Sequence, residues 1–234
     1  MSEHTLKQFD TEMEAIRTGV LTMGGLVETQ LARAIAALEE NATEETIDRV
    51  GEDEQQINRM QMTIDAQSSQ IIAKRQPAAI DLRMILTITK IVNDLERVGD
   101  EVKKIAYKAA QTRGSDRLTQ VRYFDVARAA KHVRDMLESA LDAFARLDVA
   151  AAADVIDRDE VTDAMFSAVL RQLISYMMED PRTISSALEI VFIAKSIERI
   201  GDHAKNIAEA VVQVVKGVDV RHASAEQIRA EVSE

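Results

Sequence analysis

Six acidic side chains fall into three pairs spaced four residues apart: Glu96 with Asp100, Asp159 with Asp163, and Glu198 with Asp202. On a helix this spacing puts both carboxylates on one face, close enough to share a hard or borderline cation. A single pair supplies too few ligands for a tight site, so a neighbouring segment must bring a second pair. In the C-terminal half, Asp159 and Asp163 can meet Glu198 and Asp202. The corresponding residues of the N-terminal half are Glu54 and Asn58, one carboxylate poorer, so the C-terminal group is expected to bind metal more strongly. Asn206 could add a carbonyl ligand. Spacing alone is not diagnostic, because Glu44 with Asp48 and Glu138 with Asp142 share it and are accounted for by a solvated helix face.

Other chemistry is hard to find. The four histidines are His4, His132, His203 and His222, and none stands in the Glu-x-x-His arrangement of di-iron bundles. His203 falls off the carboxylate face and is expected to pack or bridge helices. With no cysteine, thiolate zinc sites, Cys-ligated iron–sulfur clusters, disulfide scaffolds and cysteine nucleophiles are excluded, and a reducing cytoplasm fits. No Gly-rich phosphate loop, nucleophile elbow or zinc-protease helix occurs. A net charge of −11 repels nucleic acid, and no basic run or base-stacking aromatic series interrupts it. No stretch approaches 18 uninterrupted apolar residues, and the opening MSEHTLKQFDTEMEA lacks a basic and apolar leader, so a soluble chain without membrane insertion is expected.

The segments that must position the acidic pairs are helical. Apolar residues recur at steps of three and four, as in Ile85, Ile88, Val92, Leu95, Val98, Val102 and Ile105, and no period of two is sustained. Only ten Gly and Pro occur in 234 residues, roughly a third of the usual share of about 12%. Breaks at Asn41-Ala42-Thr43, Gln76-Pro77, residues 112–116, Leu147-Asp148 and Asp180-Pro181 delimit six helices. Their expected ranges are 4–40, 43–75, 79–112, 117–147, 150–179 and 183–216, followed by a polar tail over 217–234. At 1.5 Å per residue each helix is on the order of 45 Å long, as in antiparallel bundles. The ten methionines, among them Met23, Met60, Met165, Met177 and Met178, are expected to fill gaps between long helices.

The third and sixth helices repeat each other. Leu95-Glu96-Arg97-Val98-Gly99-Asp100 matches Ile197-Glu198-Arg199-Ile200-Gly201-Asp202 at an offset of 102, and Lys103, Ile105 and Ala106 match Lys205, Ile207 and Ala208. Upstream, Leu86, Ile88 and Ile91 match Leu188, Ile190 and Ile193. Ala34–Leu38 also resembles Ala143–Leu147, and a proline precedes the third helix of each half. The fold class is therefore all-α, a tandem duplication of a three-helix bundle. Its units are 4–113 and 117–216, joined near Gly114. With Glu96 at zero on a helical wheel, Asp100 lies at about 40° and Lys103 at about −20°, opposite the apolar stripe. Glu198, Asp202, Lys205 and Glu209 repeat that polar face. Gly99 and Gly201 flank the stripe, where close approach of another helix would offset a propensity cost of about 1 kcal/mol each. Arg97 and Arg199 could pair with acids on neighbouring helices.

These residues resemble the PhoU family. The resemblance rests on the doubled Glu-Arg-Val/Ile-Gly-Asp motif, Arg75-Gln76-Pro77 followed by Asp81-Leu82-Arg83, and Met23-Gly24 with Val27-Glu28. It also rests on Gly201-Asp202-His203 followed by Asn206-Ile207-Ala208-Glu209. It spans about residues 4–216. It implies paired three-helix bundles, a homodimer, and a non-catalytic cytoplasmic regulator that restrains phosphate uptake and phosphate-starvation signalling. The implied partners are the ATPase subunit of a phosphate transporter and a membrane-bound sensor histidine kinase, through which the protein could sit at the inner face of the membrane. The family's metal clusters, of iron or another cation such as manganese, magnesium or zinc, carry over to Glu96, Asp100, Asp159, Asp163, Glu198 and Asp202. Asn58 departs from the acidic pattern of a full N-terminal cluster.

Two further readings compete with this regulator. The same carboxylates could serve metal storage or a metal-dependent enzyme, which would require open coordination positions and a substrate pocket. A purely structural helical module would leave them without a role.

Overall fold

Helix ends in this chain are set by local chemistry at the few breaks the sequence contains. The structure, a computed structural model, describes residues 2–40, 43–111 and 117–221. Helix α1 covers Ser2–Glu40, α2 Glu44–Arg75, α3 Ala79–Gln111, α4 Arg117–Arg146, α5 Val149–Glu179 and α6 Ile184–Lys216. Thr43 stands outside α2 as its cap, its hydroxyl accepting from the Thr46 amide at 3.1 Å. Asp148 does the same for α5 through the Ala151 amide at 3.0 Å, directly after Leu147 ends α4 with φ of 54°. Pro181 opens a single 3₁₀ turn, Pro181–Thr183, that leads into α6. The expected join near Gly114, the break at Asn41-Ala42, and the tail beyond Arg221 with His222 lie outside the described residues.

Helices α1, α2 and α3 pack on one another, as do α4, α5 and α6. The apolar stripes found by periodicity form the interior: Ile88, Leu95, Val98 and Val102 of α3, and Ile190, Ile193, Ile200 and Ile207 of α6, are fully buried. Burying one such side chain contributes roughly 1.5–3 kcal/mol, so packing rather than helix propensity holds these helices. Met23 is buried and Met60, Met165 and Met177 pack against the core, but Met178 is 80% exposed and fills no gap.

The two halves are not beads on a string. Helix α3 lies antiparallel against α6, α1 lies against α4, and buried residues from all six helices form one cluster. At the α1·α4 crossing, a Cβ on Gly24 would stand 2.7 Å from Leu141 Cδ1, so any larger residue there would displace the Leu141 side chain. Gly99 and Gly201 serve their own bundles in the expected way. A Cβ on Gly99 would meet Ile57 of α2 at 3.2 Å, and one on Gly201 would meet Thr162 of α5 at 2.9 Å. Among the described residues no helix is long and apolar enough to cross a membrane.

Candidate metal centre

The close approach at Gly201 brings α5 and α6 together along the seam that carries the C-terminal acids. Asp159 of α5 is 7% exposed, whereas Asp163, one turn on, and Asp202 of α6 reach solvent and Glu198 is half-buried. These four act on one another. Burial, then the negative charges of Asp159 and Glu198, raise the Asp163 pKa above its ordinary value. Burial, then Glu198 and Asp159, do the same for Asp202. In the N-terminal half, burial followed by the charge of Asp100, with a smaller contribution from Glu54, raises the pKa of Glu96. Repulsion and partial dehydration both favour a proton or a metal ion at such a group.

Lysines stand among the acids. Lys205 Nζ lies 2.7 Å from Asp159 Oδ2, and the repeat-related Lys103 Nζ lies 3.0 Å from Glu54 Oε2. Lys195 Nζ donates to Glu198 Oε1 at 2.6 Å. With these pairings in place, no three carboxylate or imidazole groups among the described residues converge closely enough to hold a metal ion. One donor nevertheless fits a cation well. Asp159 Oδ1 is shielded from solvent and has no hydrogen-bond partner, a costly condition for a buried carboxylate oxygen. The all-oxygen set of Asp159, Asp163, Glu198 and Asp202 suits a hard or borderline divalent ion, and these are the residues that would hold it.

The wheel put the acids on an open face, and Asp202 is exposed there, whereas Glu96, Asp100 and Glu198 are half-buried because α2 and α5 flank α3 and α6 on that side. Glu209 differs most from expectation. It is 7% exposed, and burial is the main cause of its raised pKa. Asn206 turns from the acids and donates to Asp94 of α3 at 3.2 Å. Arg199 reaches Glu101 of α3 at 3.3 Å, as inter-helix pairing anticipated, while Arg97 lines the same groove.

Polar residues join the halves, among them Asp94 and Glu101, which sequence reasoning passed over. His203 Nδ1 lies 2.8 Å from Asp94 Oδ1, so this histidine bridges α6 to α3 as expected. Glu101, 6% exposed, receives Lys104 at 2.9 Å and Arg199 of α6 at 3.3 Å. Burial alone would raise the pKa of Glu101, yet hydrogen bonds from Lys104 and Ser196 bring it below the ordinary value. Arg97, Glu101, Lys104, Arg199, His203 and Asn206 line an open groove of about 720 Å³ where α3 and α6 meet. The signal was present: these polar positions flank the apolar stripe at matching places in both repeats.

Known proteins share this arrangement. The family described as PhoU domain matches residues 20–109 and again 126–211. The chain is 45% identical over 232 residues to the phosphate-specific transport system accessory protein PhoU homolog of Pseudomonas putida, covering 99% of this chain and 90% of that one. It is 41% identical over 228 residues to the phosphate-specific transport system accessory protein PhoU of Escherichia coli strain K12, covering 97% and 93%. The crystal structure of PhoU from Pseudomonas aeruginosa superposes with a TM-score of 0.83 at 44% identity, over 90% of this chain and all of that one.

Proposed function

The chain belongs to the PhoU family, and from that membership we propose that it is a non-catalytic accessory protein of phosphate uptake. The observation that carries this reading is its 41–45% identity, across nearly its whole length, to proteins named as accessories of the phosphate-specific transport system. It acts in the cytoplasm as a homodimeric adaptor between the transporter's ATPase subunit and a sensor histidine kinase, and it represses the phosphate regulon. The outer face of α3 and α6 supports a docking role, since both copies of the duplicated motif meet there around a polar groove. A charged surface of this kind gives steering and specificity more than raw affinity.

A second property is favoured by the unpartnered Asp159 Oδ1. Asp159, Asp163, Glu198 and Asp202 bind a divalent cation, iron, manganese, magnesium or zinc, and Glu96 and Asp100 with Glu54 form the weaker counterpart. The cation neutralises a group of like charges and holds α5 against α6, so its part is structural or regulatory.

Affinity capture of the tagged protein from native cytosol and membrane fractions, read by mass spectrometry, tests the adaptor reading. Enrichment of a phosphate-transporter ATPase or a sensor kinase is expected. Recovery of neither, with stoichiometric metal bound, shifts the function to metal storage or metal-dependent chemistry.

A further inference from the structure

The two oxygens of Asp159 have different surroundings. Oδ2 is held by the Lys205 ammonium at 2.7 Å, while Oδ1 is buried and unpartnered. In the N-terminal half both oxygens of Glu54 are satisfied: Lys103 takes Oε2 at 3.0 Å, and the Asn58 amide donates to Oε1 at 3.0 Å. The residue that stands where Asn58 does is Asp163, which has no donor when ionised. The two halves therefore share a lysine plug but differ in what can complete it.

Charge follows the same logic. The C-terminal group holds four carboxylates, Asp159, Asp163, Glu198 and Asp202, and two ammonium groups, Lys195 and Lys205. The N-terminal group holds three carboxylates, Glu54, Glu96 and Asp100, and one ammonium group, Lys103. Asn58 replaces an acid and Asn93, the repeat partner of Lys195, replaces a base, so the carboxylates and ammonium groups sum to −2 in each group, with Arg97 further offsetting the charge around Glu96. The count of carboxylates alone thus overstates the difference between the halves. What separates them is the kind of oxygen left open: a carboxylate oxygen on Asp159 in the C-terminal group, and the neutral amide oxygen of Asn58 in the N-terminal one.

We propose that Lys205 is an internal counter-ion that competes with a divalent cation for Asp159 and so sets the cation affinity of the C-terminal half. The proposal rests on the cation reading above and adds the residue that tunes it. A tethered ammonium already sits on the carboxylate that a cation needs, so binding must displace it or share Asp159 with it. Burial works against the Lys205 charge. The 2.7 Å contact with Asp159 offsets that effect and keeps the ammonium seated on the carboxylate. At Glu54 the Asn58 amide fills the second carboxylate oxygen, and the oxygen left unpartnered there is the neutral Asn58 Oδ1, a weaker seat for a divalent ion.

The test is calorimetric titration of the chelator-treated protein with Mn²⁺, comparing the parent with Lys205→Met and Lys103→Met. Lys205→Met should bind at least tenfold more tightly, about 1.4 kcal/mol, and Lys103→Met should leave the affinity of that site unchanged. Binding by the parent with an equal or weaker affinity in Lys205→Met overturns the lysine role and leaves the cation reading standing. Absence of binding in both overturns the two together, and binding only in Lys205→Met supports the proposal. A measurement on the parent alone covers the case of a variant that misfolds. Mn²⁺ should raise the acylation rate of Lys205 by an amine-reactive reagent, read by peptide mass spectrometry, without changing that of Lys103. Equal rates for Lys205 with and without Mn²⁺ contradict displacement.

Discussion

His203 of α6 and Asp94 of α3 are joined at 2.8 Å, and the offset of 102 that relates the two repeats turns this pair into Ser196 and Glu101. Ser196 stands beside Glu101 and helps to lower its pKa, and Glu101 takes Arg199 of α6 at 3.3 Å. The seam between α3 and α6 is therefore built twice, once in each direction, about a pseudo-two-fold axis close to Arg97 and Arg199. The same motif that lines up acids within each half fastens the halves together.

Asp94 is the more consequential partner, because it accepts from both His203 and Asn206. Asp94→Ala should lower stability by about 1–3 kcal/mol, the range for stranding partly buried polar partners. Urea denaturation followed by circular dichroism measures this. An unchanged midpoint with an unchanged slope would show that the seam contributes nothing there.

The two motif glycines should respond differently to alanine. At Gly201 the new methyl meets Thr162 Cγ2 at 2.9 Å, and Thr162 is buried with its hydroxyl on the Met136 sulfur at 3.3 Å. Gly201→Ala should cost about 1–3 kcal/mol through overpacking. At Gly99 the nearest atom is the tip of Ile57 at 3.2 Å, and the helix-propensity gain of about 1 kcal/mol offsets its displacement. Parallel thermal melts decide it, and equal losses in both variants would refute the distinction.

Burial first, and then the charges of Glu198 and Asp159, hold the Asp202 carboxyl above the ordinary aspartate value of 3.8. Such a group binds its proton more tightly in the folded chain. Native stability therefore falls as pH rises from 3.8 through the folded value, and the loss persists at neutral pH. In the presence of a chelator, Asp202→Asn should be more stable than the parent at neutral pH, with the gain vanishing in acid. Denaturation at a series of pH values checks this. A parent that is the more stable protein at neutral pH contradicts the sign.

Metal content should be unequal between the halves. Glu198→Ala with Asp202→Ala should abolish tight cation binding while leaving the helical signal intact. Glu96→Ala with Asp100→Ala should change it less, since Asn58 already completes Glu54. Equilibrium dialysis with elemental analysis gives both stoichiometries, and equal losses would place the principal site elsewhere.

Much of this architecture was legible beforehand. The stripe Ile88, Leu95, Val98, Val102 is the interior of α3 because a period of 3.6 with few glycines leaves the chain no alternative. The repeat located both acidic pairs and both close-approach glycines. What escaped was relative placement. Nothing local to α3 says that α6 lies against it, so Asp94, Glu101 and Ser196 read as ordinary polar positions beside the stripe. Glu54 and Asp159 lie in α2 and α5, whose apolar stripes are weak, and their burial comes from neighbours contributed by another helix. Glu209 read as exposed for the same reason.

The central claim is that this protein restrains phosphate uptake. Deleting its gene and measuring phosphate-regulon expression in phosphate-replete medium tests it most directly. The regulon should stay switched on in the deletion strain and return to repression when the parent protein is supplied. Normal repression without the protein would contradict the regulatory role.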